Sequence, residues 1–268
     1  MRPARLLLGL CLGALLCQPV AAAPRPDGSK PLVSIVIDDL GQNLARDRQV
    51  LDISPAIALA IIPDTPHAAE LAREAHHRGR TVLLHMPMDP AGGDYAWRPE
   101  LTQDERARRL DAALAKVPYV QGVNNHEGSR MTADRPAMAW LAAELQRRHL
   151  FLLDSRTSAA TVAAAEAQKI GLASLSRDVF LDDDPSEAAV LEQMQRGLAL
   201  ARKQGTVVMI GHPKPATLAV LRRVLPGLKA QGFELVQPPL MIAERACCGA
   251  GSVPFVWAAV SGRCTSLP

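Results

Sequence analysis

Apolar residues in this chain gather into short, nearly continuous runs separated by longer stretches of mixed character. The runs are Leu32–Ile37, Ile57–Ile62, Thr81–Leu84, Gly122–Asn124, Leu150–Leu153, Asp178–Leu181, Thr206–Ile210 and Phe233–Val236. Runs of this length without polar alternation suit strands covered on both faces, as in a parallel sheet or barrel. The intervening stretches carry helix signals. Thr65-Pro66 offers a cap and a first-turn proline ahead of Ala68–Arg78, and Gly79 is placed to end that helix. Thr102-Gln-Asp-Glu105 and Asp184-Pro-Ser-Glu187 resemble capping boxes. Met138, Leu141 and Leu145, and later Val190, Met194 and Leu198, recur at helical spacing and are assigned to core packing. The pattern predicts an α/β fold in a single domain over residues 32–242. Residues 243–268 show no clear periodicity.

The first residues differ from this pattern. Arg2 and Arg5 precede the apolar run Leu6–Leu16, and Val20-Ala-Ala-Ala23 supplies small residues for cleavage. This reads as a signal peptide over residues 1–23, followed by a Pro- and Gly-containing linker at 24–31. The run falls short of the ~20 apolar residues that span a bilayer, so the mature form is expected to have no transmembrane segment and to be periplasmic or secreted. Without Arg2 and Arg5 the chain has 28 basic and 27 acidic side chains. That balance gives no global field to attract nucleic acid. Cys247, Cys248 and Cys264 lie in the tail, where one of the neighbouring pair could bridge to Cys264 in an oxidising compartment.

The candidate chemistry sits at the ends of the apolar runs. Asp38-Asp39 follows the first, His85 the third, His126 the fourth and His212 the seventh. In alternating α/β folds the carboxyl ends of the strands converge on one face, so these side chains can meet. A carboxylate and two imidazoles would fill three positions of a tetrahedral zinc, leaving the fourth for water. A second carboxylate could take a proton, and Asp38-Asp39 offers both roles if strand alternation breaks there. A solvated turn or helix cap is the alternative use of the pair. His212, held between Gly211 and Pro213, is a candidate general acid. Asp154-Ser-Arg156 could orient a base or substrate, or form an ion-paired rim. His76, His77 and His149 sit on arginine-rich helix ends and His67 in a first helical turn, so none of the four is a site candidate.

Five segments, in order, resemble one known group, the divergent polysaccharide deacetylase family, an offshoot of the NodB-type deacetylases. They are Ile35-Val-Ile-Asp-Asp-Leu-Gly41, Leu84-His-Met-Pro-Met88, Gly122-Val-Asn-Asn-His-Glu-Gly-Ser-Arg130, Leu153-Asp-Ser-Arg-Thr157 and Ile210-Gly-His-Pro213. The resemblance implies a distorted (β/α) barrel, here of about seven or eight strands, and zinc-dependent removal of acetyl groups from N-acetylated polysaccharide. On that carry-over Asp38 is the general base, Asp39 and His126 are metal ligands and His212 is the acid. Arg156 is similar in role to the arginine of the wider family's third motif, although the surrounding residues differ.

The wider family places a second histidine four residues after the first, where this chain has Arg130. His85 is therefore expected to complete the metal set. Asn125 and Ser129, in the second motif, are substrate candidates. So is Trp97, with Tyr95, in a loop beginning at Gly92-Gly93, read either as a lid that packs on sugar or as a structural tryptophan. Aromatic residues make up only 3% of the chain, few for a site that stacks on sugar rings. The opposing functional class is a non-catalytic envelope protein binding glycan or a protein partner. A phosphosugar enzyme is disfavoured because no glycine-rich phosphate loop follows the late strands.

Overall fold

The computed structural model describes residues 29–248. The signal-peptide reading, most of the linker and Cys264 lie outside them. Strands and helices alternate: β1 (Leu32–Leu40), α1 (Leu44–Leu51), β2 (Ala58–Ile61), α2 (Ala68–His77), β3 (Val82–Met88), α3 (Gln103–Lys116), β4 (Val120–Glu127), α4 (Arg135–Arg147) and β5 (Phe151–Asp154). There follow α5 (Ala163–Lys169), β6 (Ser174–Ser176), β7 (Val179–Phe180), α6 (Glu187–Gln204), β8 (Thr206–Gly211), α7 (Pro215–Val224), β9 (Glu234–Leu235) and α8 (Pro238–Cys248). No described helix is long and apolar enough to cross a membrane.

Each of the eight expected runs contributes a strand, and β6 is an addition. All pairings are parallel, in the order β6-β5-β4-β3-β2-β1-β8-β7, with β9 beside the start of β1. The sheet is not closed by a ladder, since β6 and β7 stand at opposite ends of that order. Arg177 and Asp178 alone link them along the chain. Across this seam Arg177 N–H donates to Asp154 O at 3.0 Å and Asp178 N–H to Val208 O at 2.9 Å. The result is an open, distorted barrel whose last gap is bridged by the chain itself.

Strand parity separates two cores. Val33, Ile35 and Ile37 of β1, Val123 of β4 and Val207 and Met209 of β8 pack with the helices. Leu32 and Val36, Leu83, Phe151 and Leu153, and Val208 and Ile210 form the second cluster, inside the curled sheet. Met241 of α8 joins that inner cluster, and Gln237 ties α8 to the start of β3 by accepting from Thr81 N–H and Oγ1, both at 2.6 Å. The tail expected to begin at residue 243 thus carries helix as far as Cys248.

Cap positions differ in part from expectation. The Thr102 capping box is present in full. Helix α6 instead takes Ser186 as its N-cap, with Asp184 Oδ1 accepting from Ser186 N–H at 2.8 Å. Helix α2 has no side-chain cap, because Thr65 Oγ1 donates to Ile62 O at 2.6 Å.

Gly122 shows how tightly the interior closes, since a Cβ there would meet the Phe151 ring at 2.6 Å. Gly122→Ala is expected to destabilise the fold by about 1–3 kcal/mol through overpacking. Urea unfolding measures this, and an unchanged midpoint would contradict the packing.

Candidate metal centre

Adding two to the inward-facing positions gives the upper layer of the barrel interior. Val36 leads to Asp38, Leu83 to His85, Leu153 to Ser155 and Ile210 to His212, while Gly122 leads through Asn124 to His126. His212 lies just past the end of β8 as expected, but the other two histidines do not lie past strand ends. His85 lies within β3 and His126 within β4, because these two strands stay paired through Met88 and Glu127 after their other neighbours stop at Leu84 and Asn124. The two strands lift above the sheet as a ribbon that carries both imidazoles.

Regular alternation would send Asp39 to the helix side. It does not, because Asp39 adopts a left-handed φ of 58° where the β1–β2 register shifts between Ile37 and Leu40. Such a conformation is uncommon for a residue with a Cβ. Here it turns consecutive carboxylates toward one site. Asp39 Oδ1 lies 3.2 Å from His85 Nε2 and 2.9 Å from His126 Nδ1, and the two nitrogens are 3.1 Å apart.

One side chain sets the polarity of this cluster. Asn124 Nδ2 donates to Asp38 Oδ1 at 2.9 Å and to Ser155 Oγ at 3.2 Å, so Asn124 Oδ1 faces His85 Nδ1, also at 2.9 Å. His85 donates through Nδ1 to that oxygen, so in the neutral imidazole the Nε2 lone pair is aimed at Asp39 and His126. On the other wall Asp182, fully buried, accepts from His212 N–H at 2.7 Å, His212 Nδ1 at 2.8 Å and Thr217 Oγ1 at 2.6 Å. His212 Nε2 is thereby presented to the cleft, 3.7 Å from Asp39 Oδ2.

The electrostatics follow from this packing. Burial pushes the Asp38 carboxyl above its usual range, outweighing His85 and His212. Burial opposes ionisation of Asp39 too, but the two imidazoles beside it hold its carboxyl far below the usual range. Both His85 and His212 are raised despite burial, by Asp38 and Asp39 in one case and chiefly by Asp182 in the other. Asp182 is itself drawn down, against burial, by His212 and Thr217.

The donor set fits a divalent cation. Asp39 Oδ1 is buried and, for all its closeness to two imidazoles, has no aligned hydrogen-bond donor. Each of Asp39, His85 and His126 offers one atom, all within 4.8 Å of one another. One carboxylate and two imidazoles are the mixed O/N set of a catalytic zinc site with an open position. The centre faces a cleft of about 800 Å³.

Comparison with known proteins identifies the lineage. The model of the family described as divergent polysaccharide deacetylase matches residues 35–241. The chain belongs to the divergent polysaccharide deacetylase family. An uncharacterised Escherichia coli K12 protein, YibQ, is 42% identical over 197 residues, 72% of this chain and 62% of that protein. The chain thus spans less than two thirds of the length of that relative. An uncharacterised protein from Agrobacterium tumefaciens C58 superposes with a TM-score of 0.75 at 22% identity, over 82% of this chain and 93% of that one. The catalytic domain of a peptidoglycan N-acetylglucosamine deacetylase from Eubacterium rectale shares the fold, with a TM-score of 0.51 and 14% identity over 82% and 94% of the two chains.

Within this family member the structure brings Asp38, Asp39, His85, His126 and His212 together around the cleft. Other expected site residues serve elsewhere. Asp154 has the parity of Leu152, which packs with the helices, and not of inward Leu153. Its carboxylate accepts from Arg156 N–H at 2.8 Å, Thr161 Oγ1 at 3.0 Å and Ala164 N–H at 3.4 Å, so it braces the loop that carries Arg156 and does not itself line the cleft. Arg156 does reach the cleft. Asn125 borders the cleft, but its amide is engaged with Ser155 N–H at 2.9 Å and Glu127 O at 2.7 Å, which clamps two loops. Ser129 lies outside the cleft lining.

Trp97 is wholly buried in the helix-side core against Trp140, ring centroids 5.6 Å apart, so of the two readings of its loop the structural one holds and the sugar-packing lid is withdrawn. Tyr95 packs on the same core. Asn124, Asp182 and Arg177 are the site residues that sequence reasoning missed. Inward parity marks Asn124, and Asp182 directly follows the sixth apolar run.

Substituting His85→Ala is expected to abolish stoichiometric zinc uptake measured by elemental analysis, and Asn124→Ala to weaken zinc affinity about 10–100-fold by freeing the imidazole. Full zinc retention by both variants would remove these residues from the centre.

Proposed function

We propose that the protein is a metal-dependent carbohydrate N-deacetylase that removes acetyl groups from an N-acetylated glycan. The observation that carries this reading is the convergence of Asp39, His85 and His126 on one point between Asp38 and His212. Family membership supports the glycan as substrate class, and the Eubacterium rectale neighbour supports a peptidoglycan-like one. Export through a signal over residues 1–23, as the sequence reads, would bring such a substrate within reach.

Asp39, His85 and His126 would hold a zinc ion, which when bound supplies Lewis acidity and makes hydroxide available near neutral pH. Asp38 accepts the proton of the attacking water, a task that suits a carboxylate whose basicity burial has increased. Asn124 keeps the Asp38 carboxylate oriented through its 2.9 Å bond. As the carbon–nitrogen bond breaks, His212 delivers a proton through Nε2 to the departing amine, while Asp182 fixes the tautomer from the other ring nitrogen. The products are acetate and a free amino sugar. Amide and water together give acetic acid and amine, equivalent to acetate and an ammonium sugar, and the proton taken by Asp38 makes good, through solvent, the one His212 gives up.

Zinc-loaded protein is expected to release acetate from N-acetylated oligosaccharides. Asp38→Asn should bind zinc in full and lose acetate release. Asp182→Asn should lower kcat about 10²–10⁴-fold, the contribution of a positioned acid. A zinc-loaded, folded protein that releases no acetate from chitin or peptidoglycan fragments would sink the enzyme reading and favour a glycan-binding role.

A further inference from the structure

The chemistry above leaves one wall of the cleft unused. Arg177, in the two-residue seam between β6 and β7, is held rigidly: Nε donates to Ser155 O at 2.6 Å and one terminal nitrogen to Arg156 O at 2.7 Å. Its guanidinium stands 4.8 Å above the Phe180 ring, which in turn meets the His212 ring edge-on at 5.4 Å. A guanidinium carries five N–H donors, so most remain available. Arg156 stands beside it in a left-handed conformation, φ 50°, maintained by the Asp154 carboxylate. Strain of this kind in a residue with a Cβ persists where the surroundings enforce it, often at binding sites.

Both arginines line the same cleft as Asp39, His85, His126 and His212. Neither guanidinium has an ion-pair partner among the described residues, and Arg196, farther along the same lining, has none either. The carboxylates nearby are engaged or peripheral. Asp178 accepts from Val208 N–H and Arg245, Asp184 from Ser186 N–H, and Asp38 from Asn124. Glu127 and Asp183 are exposed at the rim. Burial, and then the charge of Arg156, lower the proton affinity of Arg177, which is part-buried while Arg156 stands exposed at the cleft mouth. An anion between them would relieve that cost, and a planar guanidinium fork matches a planar carboxylate.

We propose that Arg156 and Arg177 bind a carboxylate carried by the substrate, so that the glycan is acidic and bears its carboxylate on or next to the acetylated sugar. The proposal rests on the deacetylase reading for the presence of the acetamide, and concerns which N-acetylated glycan the cleft selects.

The test is isothermal titration of the zinc-supplemented full chain with a muramic acid-containing N-acetylated tetrasaccharide, its methyl ester, tetra-N-acetylchitotetraose and a 6-phosphorylated tetramer. The carboxylate form should bind about tenfold or more tightly than its ester, the scale of a charged hydrogen bond in a partly buried site. Arg177→Gln and Arg156→Gln should each shrink that ratio. Arg156 donates no side-chain hydrogen bond among the described residues, so its variant probes the charge even if loss of Arg177 perturbs folding.

Equal binding of acid and ester, no binding of either, a ratio that survives both substitutions, or stronger selection for the phosphate would each overturn the proposal. Acetate is followed in parallel. Discrimination in binding without acetate release from any oligosaccharide would defeat the deacetylase reading and leave the carboxylate site standing. Release without discrimination would do the reverse.

Discussion

The left-handed turn of the backbone at Asp39 is the constraint on which the site depends. In an unbroken strand Asp38 and Asp39 would face opposite sides of the sheet, one among the barrel interior and one among the helices. With φ at 58° and the register to β2 shifted at the same place, both carboxylates reach one cavity. They then acquire opposite environments. Asp39 is pulled toward ionisation by two imidazoles, while Asp38 is pushed toward protonation by burial. Two adjacent acids thereby differ in the way the proposed roles require, one to hold a cation and the other to exchange a proton.

Around that break the barrel supplies rigid placement. Inward parity continues upward from an apolar plug, so each functional strand ends its hydrophobic ladder in a polar residue of the same phase. The β3–β4 ribbon extends beyond the rest of the sheet and delivers His85 and His126 on adjacent strands. That arrangement lets two imidazoles from adjacent strands meet at one point beside Asp39. The amide of Asn124 connects the ribbon to β1, and Asp182 connects His212 to the β7–α6 loop. Both are neutral or paired contacts in dry surroundings, where leaving a partner unmade is costly.

Much of this was legible in the sequence, and the misses share physical causes. The eight apolar runs located the strands because burial on both faces leaves an uninterrupted signature. The three histidines and Asp38-Asp39 were found because they close such runs. Asp154 lies off the cleft lining because run-ending position does not carry phase. Leu153 faces inward, so its successor cannot unless the backbone breaks, as it does at Asp39. Asp182 was hidden in the acidic run Asp182-Asp-Asp184, where helix-cap chemistry offers an equally good account of an aspartate. Arg177 was invisible because its importance arises from the seam between the edge strands, a property of closure and not of local pattern. Trp97 looked like a loop residue, but its ring fills the helix-side core and its loop makes a bridge to Met88.

The central claim is that one cation belongs between Asp39, His85 and His126. An anomalous difference map collected at the zinc absorption edge, from crystals grown with stoichiometric zinc, tests it most directly. The account predicts a single strong peak bonded to one carboxylate oxygen of Asp39, Nε2 of His85 and Nδ1 of His126, at about 2.0–2.2 Å from each. A peak elsewhere, or an empty centre with His85 Nε2 protonated toward Asp39 at saturating zinc, would contradict it.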